Sequence, residues 1–443
     1  MDAFFAKYQV YIATLISVFA YLVLGYFFER EQFYWLLFLY SIAFVGMISL
    51  LQTPEYEKTF FKIGVLYRML FLFSTPALSQ DFYRFIWDGN AILSGINPFQ
   101  YKPEAIINTI VSFPNANYLY EKMGRLSASH FSNYPPINQL FFTISAFVGG
   151  KSILVSTIVL RIIIILADIG IYYYGRKILT HFNKNTENIF WYFLNPLVIL
   201  ELSGNLHFEG VMLFFFVVGL YYLLTNKWII SAVFIALSIS LKLLPIVLLP
   251  LFFKYLGFKK SILYYTLIIA LNVLFFLPFL NPTLITNYVE TISLWFTNFE
   301  FNASFYYVVR EVGYYVKGYN IIQTVGKITP IVTILIVSYF ALVKKNRKID
   351  AIIVNSLFVI TFYLFISTTV HPWYVINLIL LCVFSNYKFP IVWSFTIILS
   401  YYAYSVLPFK ENMFFIIAEY SIVYLIFFYE LRKNTLQEMS NAK

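Results

Sequence analysis

Apolar runs of roughly bilayer-crossing length follow one another along most of the chain, separated by short polar links. Runs at 8–28, 33–51, 60–78, 152–175, 188–203, 208–225, 228–241, 243–256, 261–280, 321–343, 351–369, 373–385, 389–407 and 413–431 predict membrane helices. Several are short or nearly fused to the next. Residues 136–149 are apolar but only 14 long, bounded by Pro135-Pro136 and Gly149-Gly150. That length predicts a re-entrant or interfacial helix and not a crossing. The fold class expected is all-α: a polytopic membrane protein of about 12–15 transmembrane helices, counted here as 14, in a single integral-membrane domain over 1–443 with both termini inside. The first run has no small-residue cleavage site near Tyr26 to Arg30, which predicts a retained span.

Two polar stretches, 78–135 and 281–320, are too long to be simple links. Both carry aromatics, as in Trp295-Phe296-Thr297-Asn298-Phe299, which predicts helices lying in the membrane interface.

Composition agrees with the pattern. The chain is 60% hydrophobic and 12% charged, about half the charged fraction of a soluble domain. The net charge of +10 could indicate nucleic acid, but its distribution excludes that reading. Basic residues gather in short links: Arg176, Lys177 and Lys184; Lys254, Lys259 and Lys260; Lys344, Lys345, Arg347 and Lys348; Arg432 and Lys433. The positive-inside rule assigns these links to the cytoplasm, in contact with membrane lipids. The alternating links 78–151, 204–207, 281–320, 370–372 and 408–412 then face outward. Cys382 is the only cysteine, so neither an intramolecular disulfide nor a cysteine-based metal site can form.

Candidate chemistry concentrates on the outward side. Asp81 and Asp88 open the first long loop beside Arg84, seven residues apart and so on one face of a helix over 81–94. A carboxylate at a membrane edge must be solvated, paired or functional. Glu209 stands one residue into a span, after Asn205-Leu206-His207-Phe208. His371-Pro372-Trp373-Tyr374 forms another link, and three of the four histidines (His130, His207, His371) fall on this side. Lys242, at the outer end of a span, reads either as a snorkelling side chain or as a point charge for a phosphate. Arg161 and Asp168, two turns apart in one span, are expected to form a structural pair.

An outward acid, a nearby cation and long interfacial loops suit transfer from a lipid-phosphate sugar. A carboxylate takes the acceptor's hydroxyl proton, and positive charge, from a side chain or a divalent cation, stabilises the leaving phosphate. Such an enzyme needs no glycine-rich phosphate loop, and none is present.

The block from Asp81 to Tyr101, containing Arg84 and Asn97, resembles the first-loop motif of bacterial integral-membrane glycosyltransferases of the GT-C superfamily, among them polyprenyl-phosphate-mannose-dependent mannosyltransferases. More distantly it resembles the catalytic subunit of eukaryotic GPI mannosyltransferase I. Asn133-Tyr134-Pro135-Pro136, Leu194-Asn195-Pro196, Asn205 to Gly210, Lys242 to Pro245 and His371 to Tyr374 follow in the family's order, so the likeness runs from about 80 to 375. It implies a polyprenyl-phosphate sugar donor, a lipid or glycan acceptor, and an inverting transfer at the outer face of the bacterial inner membrane. Asp81 would be the leading catalytic carboxylate, with Asp88 orienting the acceptor or holding a metal, and Glu209 the next acid. Arg84, Asn97, Tyr134, Asn205, His207, His371, Trp373 and Tyr374 would line the substrate cavity and Lys242 would hold the donor phosphate. Mannose is the sugar this resemblance suggests. The chain departs from the GPI branch, which carries an Asp-x-Asp pair: Ser79 and Tyr83 stand two residues either side of Asp81, and a tightly chelated metal is therefore not required. Two rival readings are a secondary transporter or lipid flippase, which would show repeats and midplane charges, and a non-catalytic membrane partner.

Overall fold

The computed structural model describes residues 3–441. Among them helices account for all regular structure, apart from an isolated bridge between Phe301 and Thr369. Those that position the site are α1 (Ala3–Tyr26), α2 (Phe33–Leu51), α3 (Glu57–Met69), α4 (Asp81–Leu93), α5 (Pro136–Gly149), α6 (Ile153–His181), α7 (Glu209–Leu224) and α8 (Trp228–Ile239).

The protein is polytopic and all-α, as expected, but its helices are less uniform than the apolar runs. Seven described helices are long and apolar enough to cross a membrane: Phe4–Tyr26, Phe33–Leu51, Ile153–His181, Leu244–Phe279, Ile322–Leu342, Ile349–Ile366 and Met413–Gln437. The pair Pro196–Gly204 and Glu209–Leu224, bent by 113°, makes an eighth if counted as one span. The expected runs 228–241, 373–385 and 389–407 are the shorter helices Trp228–Ile239, Pro372–Val383 and Phe389–Tyr404. The run 60–78 is helical only as α3, which carries Glu57, Lys58, Lys62 and Arg68 and stops short of Pro76.

Residues 243–256 and 261–280 appear as one helical run broken at Gly257, where φ is 72° and ψ 166°. Glycine alone adopts that conformation without strain. The Tyr265 hydroxyl donates to Leu249 O at 2.9 Å, 16 residues back; a straight helix would hold those residues about 24 Å apart. The chain therefore doubles back at Gly257, as two separate runs require.

Contacts sort the links into two ends. At one end Arg176 meets Glu57 and Thr186, Lys184 meets Phe384 O, and Lys254 meets Leu342 O and Lys344 O. At the other, Leu78 N–H donates to Asn205, Asn97 donates to Phe279 O, Tyr288 donates to Asn133 O, and Phe301 pairs with Thr368 and Val370. The basic links thus lie opposite the two long loops, which is the alternation that their charge predicts.

Helix α5 has the 14 residues expected of it, with Pro136 in its first turn. It lies so close to α4 that a Cβ at Gly89 would sit 2.2 Å from Phe142 O. Phe85 stacks on Phe142 at 4.4 Å and Tyr134 closes the same aromatic group. This packing fixes the direction in which α4 presents its first turn.

Candidate active site

Asp81 opens α4, half-buried, at a helix start that favours negative charge. Its carboxyl is pushed above the ordinary carboxylate range by burial; Lys242 and Arg30 pull it back and Glu209 adds to the rise. Four separate links thus bring charge to one place: Arg30 after α1, Asp81, Glu209 at the start of α7, and Lys242 after α8. Lys242 Nζ contacts Glu209 Oε1, and the Glu209 side chain is only 2% exposed. Tyr134 completes this group. Burial first, and the Asp81 carboxylate second, hold its phenol neutral, well above its ordinary range.

A second layer is a stack of rings. The His207 imidazole lies 3.7 Å from the Trp373 ring at 19°, and Trp373 lies 4.3 Å from His371 at 9°. His371 continues onto Phe301 at 5.1 Å, and Tyr374 meets it edge-on at 5.4 Å. Trp373 thus carries an imidazole stacked on each side, which fixes its ring in the wall of the cluster. Burial, reinforced by Lys242, keeps both histidines neutral: His207 lies well below its ordinary pKa and His371 is pushed down to about 3.

Four buried polar atoms of this cluster have no hydrogen-bond partner in the protein: Arg30 Nε, His207 Nε2, Glu209 Oε2 and His371 Nδ1. Native proteins rarely leave such groups unsatisfied except where function requires it. All four belong to the cluster around Asp81, which makes it the candidate site.

Two members were not among the sequence candidates. Arg30 stacks on Tyr404 with its guanidinium carbon 3.6 Å from the ring centre. Glu201, fully buried, lies in a π-helical turn over Ile199–Gly204, accepts a 2.6 Å bond from Tyr401 and stands 3.5 Å from His207 Nε2. Such turns recur at functional sites. The chain then passes through Leu206 at φ 63°, a left-handed conformation that sets up the bend into α7. The signal for Glu201 was present, an acid inside the apolar run 188–203. Arg30, in a short exposed-looking link, gave none.

Other candidates are occupied elsewhere. Arg84 and Asp88 do not join the cluster; they pair with each other at 2.7 Å inside α4, both buried. Asp88 also accepts from Ser132 (2.7 Å) and Gln139 (3.1 Å), while Arg84 binds Ser127 O and His130 O. This is the i,i+4 contact of a helix, and it ties the end of the first long loop to its beginning. Asn97 donates to Phe279 O and accepts from Phe99 N, and Asn205 accepts from Leu78 N and donates to Glu201, so both brace loops. The expected Arg161–Asp168 pair does not form. Asp168 binds Arg68 at 2.8 Å and Tyr192 at 2.9 Å, whereas Arg161 donates to Ser203 O, Leu72 O and Gly204 O. Two helical turns separate residues by about 10 Å along the axis, beyond the reach of a direct bond once nearer partners are available.

Among the described residues no three His, Cys, Asp or Glu side chains gather where they could hold a metal ion. Asp88 is satisfied by Arg84, and Glu209 is paired with Lys242.

A protein-family profile described as alpha-(1->6)-mannopyranosyltransferase, N-terminal domain, matches residues 9–256, more than half of the chain. The chain belongs to that family. A segment of 180 residues is 22% identical to alpha-(1->6)-mannopyranosyltransferase A of Mycobacterium tuberculosis, covering 40% of this chain and 33% of that protein. One of 183 residues is 24% identical to the protein of the same name from Corynebacterium glutamicum, covering 40% of this chain and 35% of the relative. The matched segments span about a third of the relatives' own length. The region matched by the family profile includes Arg30, Asp81, Glu201, His207, Glu209 and Lys242; His371 and Trp373 lie beyond it.

Proposed function

We propose that the chain is a mannosyltransferase that moves mannose from a polyprenyl-phosphate donor to a hydroxyl of a lipid or glycan acceptor, at the outer face of a bacterial inner membrane. The observation that carries this reading is the half-buried Asp81 carboxylate, raised in basicity by burial and within the electrostatic reach of Lys242 and Arg30, in a cluster with polar atoms that have no protein partner. Family membership supports mannose and the transfer reaction.

In this reading the acceptor oxygen attacks the anomeric carbon while Asp81 takes the hydroxyl proton. The bond from that carbon to the phosphate oxygen breaks, and the polyprenyl phosphate leaves with the electron pair. One displacement inverts the anomeric centre, with no covalent sugar-enzyme intermediate. Lys242 and Arg30 stabilise the charge on the leaving phosphate, which is where preorganised cations lower a barrier. Lys242 can exchange Glu209 for the phosphate without losing a charged partner. The neutral imidazoles of His207 and His371 are hydrogen-bonding groups for sugar hydroxyls, held in place by Trp373.

The test is an assay of the purified full chain with polyprenyl-phosphate mannose, polyprenyl-phosphate glucose and a panel of acceptors. Release of polyprenyl phosphate coupled to mannosylation of an acceptor is expected. Donor translocation across proteoliposomes with no product would favour a flippase instead.

A further inference from the structure

At the end of the molecule opposite Asp81, the last turns of α6 and α7 border an open groove of about 520 Å³ lined by residues that include Tyr172, Tyr173, Arg176, Lys177, His181 and Tyr221. None of these residues takes part in the chemistry above. Two cations and an imidazole share the groove with three phenols, and the carboxylate facing it, Glu57, is already bound to Arg176. Arg176 is further fixed by the Tyr172 hydroxyl at 2.7 Å. Lys177 has no carboxylate partner among the described residues. Its ammonium instead lies over Tyr173 at 4.2 Å, Tyr221 at 5.2 Å and Tyr174 at 5.5 Å. Lys227 adds a fourth basic group close by, over Tyr222.

Two ordinary explanations for these cations fall short. Basic residues in a last helical turn complement the helix dipole, but that requires neither a groove nor an aromatic cradle. The positive-inside rule requires only charge in the link. Here the charge is held in a concave site. Above it on α6 the exposed side chains Ile162, Leu166 and Tyr173 form an apolar stripe running along the helix into the groove.

We propose that this groove binds the phosphodiester headgroup of an anionic phospholipid, with its acyl chains along the Ile162–Leu166 face of α6. Lys177 supplies the charge, Tyr173 and Tyr221 supply hydroxyls, and Arg176 is the fixed edge. Basic pockets between helices on the cytoplasmic side recognise such headgroups by this combination. The site is independent of the transfer reaction, so its test does not depend on activity.

The full chain would be purified in detergent doped with equal phosphatidylglycerol and phosphatidylcholine and examined by native mass spectrometry. Preferential retention of phosphatidylglycerol is expected. Lys177→Gln should lower that preference about fivefold, the factor that roughly 1 kcal/mol per surface cation represents. Tyr173→Ala, at an exposed position, serves as a second variant in case the first is unstable and should lower the preference in the same direction. Equal retention of both lipids, or an unchanged preference in the two variants, overturns the proposal. Displacement of the bound lipid by millimolar inorganic phosphate would also overturn it, because it would assign the groove to a soluble anion.

Discussion

Lys242 and Glu209, 33 residues apart in the chain, meet at the open end of the hairpin formed by α7 and α8, so that its closed end at Asn226 lies away from the site. The pair holds the hairpin in register and places a cation beside Asp81 at once. An outward lysine on a helix end reads as snorkelling until its partner is known. The partner is a nearly buried acid, and the kinetics of Lys242 variants are what separate the two readings.

Lys242→Ala is expected to raise the KM for the polyprenyl-phosphate donor by about 10–100-fold, the effect of losing a charge-assisted hydrogen bond of roughly 1.5–3 kcal/mol. The KM for the acceptor should move little. Lys242→Arg should keep part of the donor affinity because the charge remains. Because Glu209 loses its counter-charge, the Ala variant should also melt earlier, and Lys242→Met with Glu209→Gln should recover the melting temperature but not donor use. Steady-state kinetics with each substrate varied, together with melting curves, separate binding from folding.

Asp88→Asn is expected to act on stability. The Asp88 side chain is fully buried in an ion pair with Arg84, and removing one partner of such a pair costs about 3–5 kcal/mol. A lowered melting temperature and yield should accompany near-normal kinetics in the surviving protein. If Asp88 instead shared a metal with Asp81, turnover would collapse at unchanged stability and wild-type activity would be lost in EDTA.

What could be read from the chain, and what could not, divides along one physical line. Apolar run length is a one-dimensional property: it located the long helices, the separation of 243–256 from 261–280 and the 14-residue helix α5, but it counted the short helices Trp228–Ile239, Pro372–Val383 and Phe389–Tyr404 as full crossings. Isolated polar residues in apolar surroundings located Asp81, His207, Glu209, Lys242 and His371, which the fold brings together from loops up to 290 positions apart. Pairing is three-dimensional. Arg161 and Asp168 share a helix face yet choose Ser203 O and Arg68 as partners. Arg84 and Asp88 carry a four-residue spacing that specifies their contact once the segment is helical. Arg30 lies in an ordinary polar link, and only the approach of Tyr404, more than 370 residues later, gives it a place.

The sidedness of the two ends can be measured directly. In a Cys382→Ser background, chosen because Cys382 is buried, single cysteines at the exposed positions Asn108, Asn298 and Lys345 are suitable reporters. An impermeant maleimide should label 108 and 298 in intact cells, and 345 only after permeabilisation. The reverse pattern would move the Asp81 cluster to the cytoplasmic side and remove the lipid-donor mechanism with it.

The pH dependence of kcat/KM should show an acidic limb above the ordinary carboxylate range, because Asp81 must be ionised to accept a proton and burial raises its pKa. Glu209 raises Asp81 further and Lys242 lowers it. Glu209→Gln should therefore shift the limb to lower pH and Lys242→Ala to higher pH. Shifts of the same sign in both variants would separate the limb from Asp81.

Asp81→Asn keeps the shape of the side chain but removes the oxygen that takes the proton. Loss of a general base typically costs about 10²–10⁴ in rate, so turnover should fall by at least 100-fold while donor and acceptor binding persist. Stability should move the other way. A carboxyl whose pKa is raised by folding favours the folded state at pH below its unfolded value, and that contribution disappears as pH rises through the folded value. At neutral pH the ionised Asp81 is therefore a net cost to the fold, which the neutral amide relieves. The variant should melt at the same temperature as wild type or higher at pH 7, and the gap should close as the pH is lowered toward 4. A stably folded Asp81→Asn enzyme with near-normal turnover would remove Asp81 as the base, and Glu209, paired with Lys242 in the same cluster, would be the next residue to test.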